Sequence, residues 1–159
     1  MTDTKPLAGR VALVTGASRG LGYAIALKLA EAGAEVIATA RTQAGLEDLD
    51  DAIKAIGGKA TLVPLDLNSQ DGIEKLAEAV AGRWKKLDIM VANAGALGVL
   101  TPAAQLTSKV WNEVLATNLI APARMIRAFE SLLKPSRAFE SPLRPLEAPS
   151  SEDYCFDDD

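Results

Sequence analysis

The sequence predicts an α/β fold, a parallel sheet flanked by helices. Three observations predict it. Val11 to Val14 is a short, Val-rich apolar run, the pattern of a strand buried on both faces. Glycines follow at 16, 20 and 22, and a helical pattern opens directly behind them. The same alternation of strand and helix then recurs, giving four βα repeats before residue 134.

In the first helix Leu21, Ala24, Ile25 and Leu29 share one side, and Gly33 is placed to end it. Glu35 to Ala40 reads as the second strand. Leu46, Leu49, Ile53 and Ile56 fall at helical spacing within Thr42 to Ile56, and Gly57-Gly58 stops that helix. Lys59 to Leu65 reads as the third strand, ending at Asp66-Leu67. Ile73, Leu76, Ala77, Val80 and Trp84 form a core-facing helical stripe. Leu87 to Ala92 is the fourth strand, with Asn93-Ala94-Gly95 after it. Thr107 can cap a helix carrying Val110, Trp111, Val114 and Leu115. Pro122 has no N–H, so the carbonyl of Asn118, four residues earlier, loses its helical donor and the helix should kink there. That pattern reads either as a carbonyl left free to hold a water or as a long helix bent around the sheet.

Composition narrows the function. With 17 Lys plus Arg against 21 Asp plus Glu, the net charge is -4, which argues against a nucleic-acid partner. No apolar run is long enough for a membrane span, and Met1 to Pro6 has no signal-peptide character. The single cysteine, Cys155, cannot form an internal disulfide, so a cytoplasmic setting is expected. The absence of histidine removes Ser-His-Asp and Cys-His catalysis and makes a metal site unexpected.

The glycine turn carries the chemistry. A helix starting there aims unpaired N–H groups and a partial positive charge at the turn, which makes a phosphate site. Gly16 lets the chain leave the strand sharply, Gly20 lets backbone approach a diphosphate, and Gly22 lets the helix lie close to the sheet. The spacing is Gly-x-x-x-Gly-x-Gly rather than Gly-x-Gly-x-x-Gly. Thr15 to Gly22, Thr-Gly-Ala-Ser-Arg-Gly-Leu-Gly, resembles the glycine segment of the short-chain dehydrogenase/reductase family, and from about residue 7 to 134 further segments match in order. Asp66 matches the family aspartate that accepts from the adenine amino group, although Asp66 or Asn68 reads equally well as a cap for the next helix. Asn93-Ala94-Gly95 looks like the family's Asn-Asn-Ala-Gly, with Ala92 in place of the first asparagine. Thr117-Asn118-Leu119 resembles Val-Asn-Leu, whose asparagine is the first of a catalytic Asn, Ser, Tyr and Lys set.

The resemblance implies a Rossmann-type domain over residues 1–134 that binds a nicotinamide dinucleotide, its parallel sheet in the strand order 3-2-1-4 and stopping before the family's fifth strand. The implied cofactor contacts are Gly16, Ser18, Arg19, Gly20, Leu21, Gly22, Arg41, Asp66, Leu67, Asn93, Ala94 and Gly95, with Asn118 as the catalytic candidate. Ala40 ends the second strand where a carboxylate would select NAD, and Arg41 and Arg19 suit a 2′-phosphate, so NADP is favoured over NAD. The implied activity is hydride transfer on a carbonyl or alcohol substrate.

The family pattern then stops. The strand with the catalytic serine and the Tyr-x-x-x-Lys segment do not follow. Arg-Ala-Phe-Glu-Ser occurs at 127–131 and again at 137–141, and prolines at 135, 142, 145 and 149 exclude a long helix. Residues 135–159 read as an irregular, acidic tail that is not family sequence. Tyr154 has Asp158 where the family has lysine, and Ser150 and Ser151 are too near it to come from a separate strand, so it is rejected as a base. An inactive family member is therefore expected, or a non-catalytic nucleotide-binding or regulatory module, or a non-functional fragment. Ile89, Met90 and Val91 are expected on an open sheet edge that invites association.

Overall fold

The Val-rich run forms β1 (Val11–Thr15), and all five of its residues are buried. The computed structural model, which describes residues 5–133, places β1 between β2 (Glu35–Ala40) and β4 (Ile89–Val91), with β3 (Lys59–Pro64) beyond β2. The pairings are all parallel, with Val11 opposite Glu35, Ala12 opposite Ile89, and Glu35 opposite Lys59. The observed order β3-β2-β1-β4 is the expected one.

Strand alternation divides the core in two. Val14, Val36, Ala38 and Ala40 pack with helices α1 (Gly20–Glu31) and α2 (Gln43–Ala55). Leu13 and Ile37 pack on the other face with α3 (Gly72–Trp84) and, beyond α4 (Ser108–Leu115), with α5 (Ala121–Phe129). Leu46, Leu49 and Ile53 of α2 are buried as the spacing predicts, as are Ile73, Leu76, Ala77 and Val80 of α3. Trp84 is only half-buried, with the Arg83 guanidinium 4.4 Å from its ring centroid.

The buried face of α1 differs from the expected one. It is Gly22, Ala26 and Ala30, while Leu21 and Ala24 are exposed and Ile25 and Leu29 lie half-buried at its flanks. The helix sits so close to the sheet that only small residues fit beneath it. A Cβ on Gly22 would fall on the Gly16 carbonyl oxygen and Asn93 Nδ2. Both α1 and α2 end in the same device. Gly33 (φ +99°) donates to Ala30 O and Ala34 to Leu29 O; Gly57 (φ +71°) donates to Lys54 O and Gly58 to Ile53 O. These bonds satisfy the last carbonyls of each helix.

β4 is shorter than the expected Leu87 to Ala92 run. Its three residues are half-buried, and among the described residues its outer side is met only at Leu87, which pairs in parallel with Leu133 and donates to Leu132 O. Thr107 caps α4 as expected, its Oγ accepting from the Val110 N–H. Near Pro122, where a kink is expected, the helical run passes without a gap from α4 through a π turn over Ala116–Ile120 into α5, with Pro122 in the first turn of α5. Residues 134–159, including the proposed domain boundary, the second Arg-Ala-Phe-Glu-Ser copy, Ser150, Ser151, Tyr154 and Asp158, lie outside the described residues.

Asp88 fastens the opposite end of the sheet from the glycine turn. Its carboxylate accepts from Arg10 Nη1 at 2.7 Å and the Val11 N–H at 2.9 Å, with Lys86 Nζ at 3.0 Å. Partial burial pushes its pKa up, but the bonds from Arg10, Val11 and Lys86 outweigh this and hold it below the usual aspartate value. A carboxyl depressed in the folded state contributes stability above its unfolded pKa and loses it as pH falls through the folded value. Asp88→Asn is therefore expected to destabilise the chain at neutral pH, the gap to wild type closing in urea melts between about pH 5 and about pH 2. A gap that stays constant over that range would show that Asp88 stabilises nothing through its charge.

Candidate functional site

Thr15 ends β1, and the chain turns at Gly16, whose φ of +66° a side chain would strain. Arg19 is the extended N-cap of α1, and no side chain caps that end. Tyr23 N–H reaches back to Arg19 O, so the N–H groups of Gly20, Leu21 and Gly22 fall in the first turn, where no intrahelical acceptor exists. Gly20 has φ +59°, and a Cβ built there would meet nothing within 4 Å, so open space lies over the turn. Gly45 lets α2 abut this turn, since a Cβ there would lie 2.6 Å from Ser18 O.

The open space is a cleft of about 800 Å³ at the C-terminal ends of the strands. Its walls are Gly16, Ser18, Arg19 and Gly20 of the turn, Thr39 to Thr42 at and just beyond the end of β2, Leu65 to Asn68 after β3, Asn93 to Ala96 after β4, and Thr117 of the π turn. It opens where the chain, having built β2 and β3 on one side of β1, crosses to β4 on the other. Such switch points are where ligands bind in open α/β sheets.

Two residues hold the walls together. Asn93 Nδ2 donates to Thr15 O (2.9 Å) and Gly16 O (3.4 Å). Thr15 is buried, and its hydroxyl accepts from the Ala94 N–H (2.9 Å) and donates to Val91 O (3.3 Å). The turn after β1 and the loop after β4 are thereby fixed to each other.

A family model described as short chain dehydrogenase matches residues 10–138. The chain belongs to the short-chain dehydrogenase family. It is 34% identical over 134 residues to the short chain dehydrogenase/reductase dpchG of Colletotrichum higginsianum, covering 83% of this chain and 50% of that protein. Among solved structures, a metagenomic short-chain oxidoreductase in complex with NADP superposes with a TM-score of 0.76 at 40% identity, covering 79% of this chain and 57% of that one. Carveol dehydrogenase from Mycobacterium avium in complex with NAD gives 0.76 at 25% identity, covering 82% and 51%. The chain spans about half the length of the curated relatives it matches.

In this short-chain dehydrogenase chain the cleft gathers Gly16, Ser18, Arg19, Gly20, Arg41, Asp66, Leu67, Asn93, Ala94 and Gly95. Leu21 and Gly22 stand behind it in the first turn of α1. The Leu21 side chain is 70% exposed, so what it offers the turn is its N–H. Asp66 does not cap α3, and neither does Asn68. Asp66 Oδ1 accepts from the Asn68 N–H at 3.0 Å, Asn68 Nδ2 donates to Thr117 Oγ1 at 2.9 Å, and α3 begins only at Gly72. Asn118 lies off the cleft wall. Its Oδ1 accepts from the Ala96 N–H (2.7 Å) and its Nδ2 donates to Ala96 O (2.9 Å), so the side chain holds the loop after β4.

Arg19 and Arg41 line the cleft, and among the described residues neither pairs with a carboxylate. Asp66 is the acidic residue on the same wall. Wall residues not assigned a role from sequence include Thr39, Thr42, Leu65, Ala96 and Thr117. Thr39, Thr42 and Leu65 sit at strand ends, so the strand order itself would have pointed to them. Among the described residues no cluster of His, Cys, Asp or Glu could hold a metal, and no helix is long and apolar enough to cross a membrane.

Proposed function

We propose that the chain binds a nicotinamide dinucleotide, NADP in preference to NAD, and does not by itself turn over a carbonyl or alcohol substrate. The observation that carries the reading is the uncapped start of α1 beneath open space at Gly20, bordered by two arginines that have no carboxylate partner among the described residues. These features fit the group. First-turn N–H groups and the helix dipole suit a diphosphate, and guanidinium groups suit a further phosphate on the adenosine ribose. The neighbours solved with NADP and with NAD agree with a nicotinamide dinucleotide in this cleft.

In this reading Ser18 and the N–H groups from Gly20 to Gly22 hold the diphosphate. Arg19 and Arg41 hold the 2′-phosphate where Ala40 leaves room. The Asp66 carboxylate accepts from the adenine amino group beside Leu67, and Asn93, Ala94 and Gly95 line the ribose. When bound, the nicotinamide supplies or accepts the hydride. Asn118 holds the loop through its side chain, and the loss of the Pro122 N–H leaves its carbonyl for a water. These 159 residues contain no Tyr-x-x-x-Lys, which supports the reading that they do not by themselves move the substrate proton.

Titration of NADPH and NADH against the purified chain tests this, followed by nicotinamide fluorescence. NADPH is expected to bind about tenfold or more tighter than NADH, with no NADPH oxidation over a panel of aldehydes and ketones. Absence of NADPH binding, or tighter NADH binding, overturns the cofactor assignment; steady oxidation overturns the inactivity.

A further inference from the structure

Residues 65–71, between β3 and α3, form neither helix nor strand, yet Leu65 to Asn68 stand on the cleft wall. Such a segment keeps one shape only where its backbone groups find partners. At its start the Leu65 N–H donates to Ala40 O at 2.9 Å. Next comes a local turn, in which Asp66 accepts from the Asn68 N–H through Oδ1 and from the Ser69 N–H through its carbonyl, both at 3.0 Å. The far end of the segment is held from another element. Arg124 of α5 donates from Nη1 to Ser69 O (3.1 Å) and from Nη2 to Gln70 O (2.5 Å). Its Nη2 also meets Glu74 Oε2 in the first turn of α3, at 2.8 Å. Thr117 of the π turn adds a second hold, its Oγ1 accepting from Asn68 Nδ2 at 2.9 Å.

Arg124 is half-buried and stands off the cleft wall. Its planar fork has donors enough for two successive carbonyls and a carboxylate. Without it the oxygens of Ser69, Gln70 and Glu74 lose their shared donor, and the loop has to open to water to satisfy them. Asp66 moves with that loop, because Asn68 and Ser69 are both bonded to it. We propose that Arg124, seconded by Thr117, is a positioning residue for Asp66: it touches no part of the nucleotide, but it fixes the carboxylate that meets the adenine amino group. The inference rests on the nucleotide reading above and adds to it a residue outside the cleft that controls recognition of the base.

The test compares NADPH with its hypoxanthine analogue, which has a carbonyl where adenine has the amino group. The wild-type chain is expected to bind the analogue about tenfold more weakly than NADPH, the usual worth of a hydrogen bond to a charged group. Arg124→Gln should weaken NADPH several-fold and leave the analogue nearly unchanged, so that the preference collapses. Thr117→Val should act in the same direction and less. Asp66→Asn should abolish the preference by itself, and adding Arg124→Gln to it should change nothing further, as expected of residues that act as one unit. Without ligand, the amide signals of Asn68, Ser69 and Gln70 should shift and broaden in Arg124→Gln while those of β1 stay in place, which certifies the fold. Equal weakening of both nucleotides, an intact preference in Arg124→Gln, or additive effects with Asp66→Asn would each overturn the proposal. A wild-type chain that binds neither nucleotide overturns the cofactor reading, and the inference with it. Unmoved loop amides in Arg124→Gln overturn the positioning role alone, whatever the chain binds.

Discussion

Gly22→Ala is expected to abolish nucleotide binding and to destabilise the chain by about 1–3 kcal/mol, the usual cost of forcing an extra methyl into a packed interior. The added Cβ has nowhere to go, because the Gly16 carbonyl and the Asn93 side-chain amide occupy its position. Relief requires α1 to move off the sheet, and that movement displaces Gly16, breaks the bonds from Asn93 to Thr15 and Gly16, and closes the first turn of the helix. Gly20→Ala is the control. Its Cβ meets no neighbour within 4 Å, so the damage there is confined to the strained φ of +59° and to space over the turn. Thermal melts and NADPH titration on both variants separate the effects. Equal stability of Gly22→Ala and wild type would mean that α1 does not sit as closely as described.

Arg41→Ala is expected to weaken NADPH binding about tenfold to hundredfold and leave NADH binding nearly unchanged. A hydrogen bond from a charged donor is worth about 1.5–3 kcal/mol. Among the described residues Arg41 has no carboxylate to hold it away from a ligand, so the loss falls on the phosphate contact rather than on the fold. Arg41 is exposed, and its removal should leave the melting curve without ligand in place. The titration should also lose part of its salt dependence. Parallel weakening of both cofactors would show that Arg41 acts on a part common to them and that selection lies elsewhere, with Arg19 the next position to replace.

Much of this architecture was legible in the sequence because its main determinants are local. Gly16, Gly33 and Gly57 are demanded by positive φ values at turns and helix ends, and such demands are written residue by residue. Pro122 removes a donor wherever it stands, so an irregularity in the helix just before it could be read without a structure, and it is the π turn that precedes α5. The face of α1 could not be read the same way. Counting apolar bulk selects Leu21, Ile25 and Leu29, whereas a helix pressed onto a sheet buries the positions with least side chain, Gly22, Ala26 and Ala30. The role of Asp66 was ambiguous for a different reason. A carboxylate ahead of a helix suggests a cap, and only the start of α3 at Gly72 shows that the chain takes an additional turn first. The grip of Asn118 on Ala96 joins residues 22 apart through a loop with no regular pattern, and no spacing rule anticipates it.

The bonds that Thr15 and Asn93 make across the top of β1 and β4 have a thermodynamic consequence. Both lips of the cleft are tied to each other by the fold itself, so a dinucleotide entering between them as proposed would find little backbone freedom left to remove. Its association should then proceed as a rigid fit, with the entropy of loop ordering largely absent from the calorimetric signature.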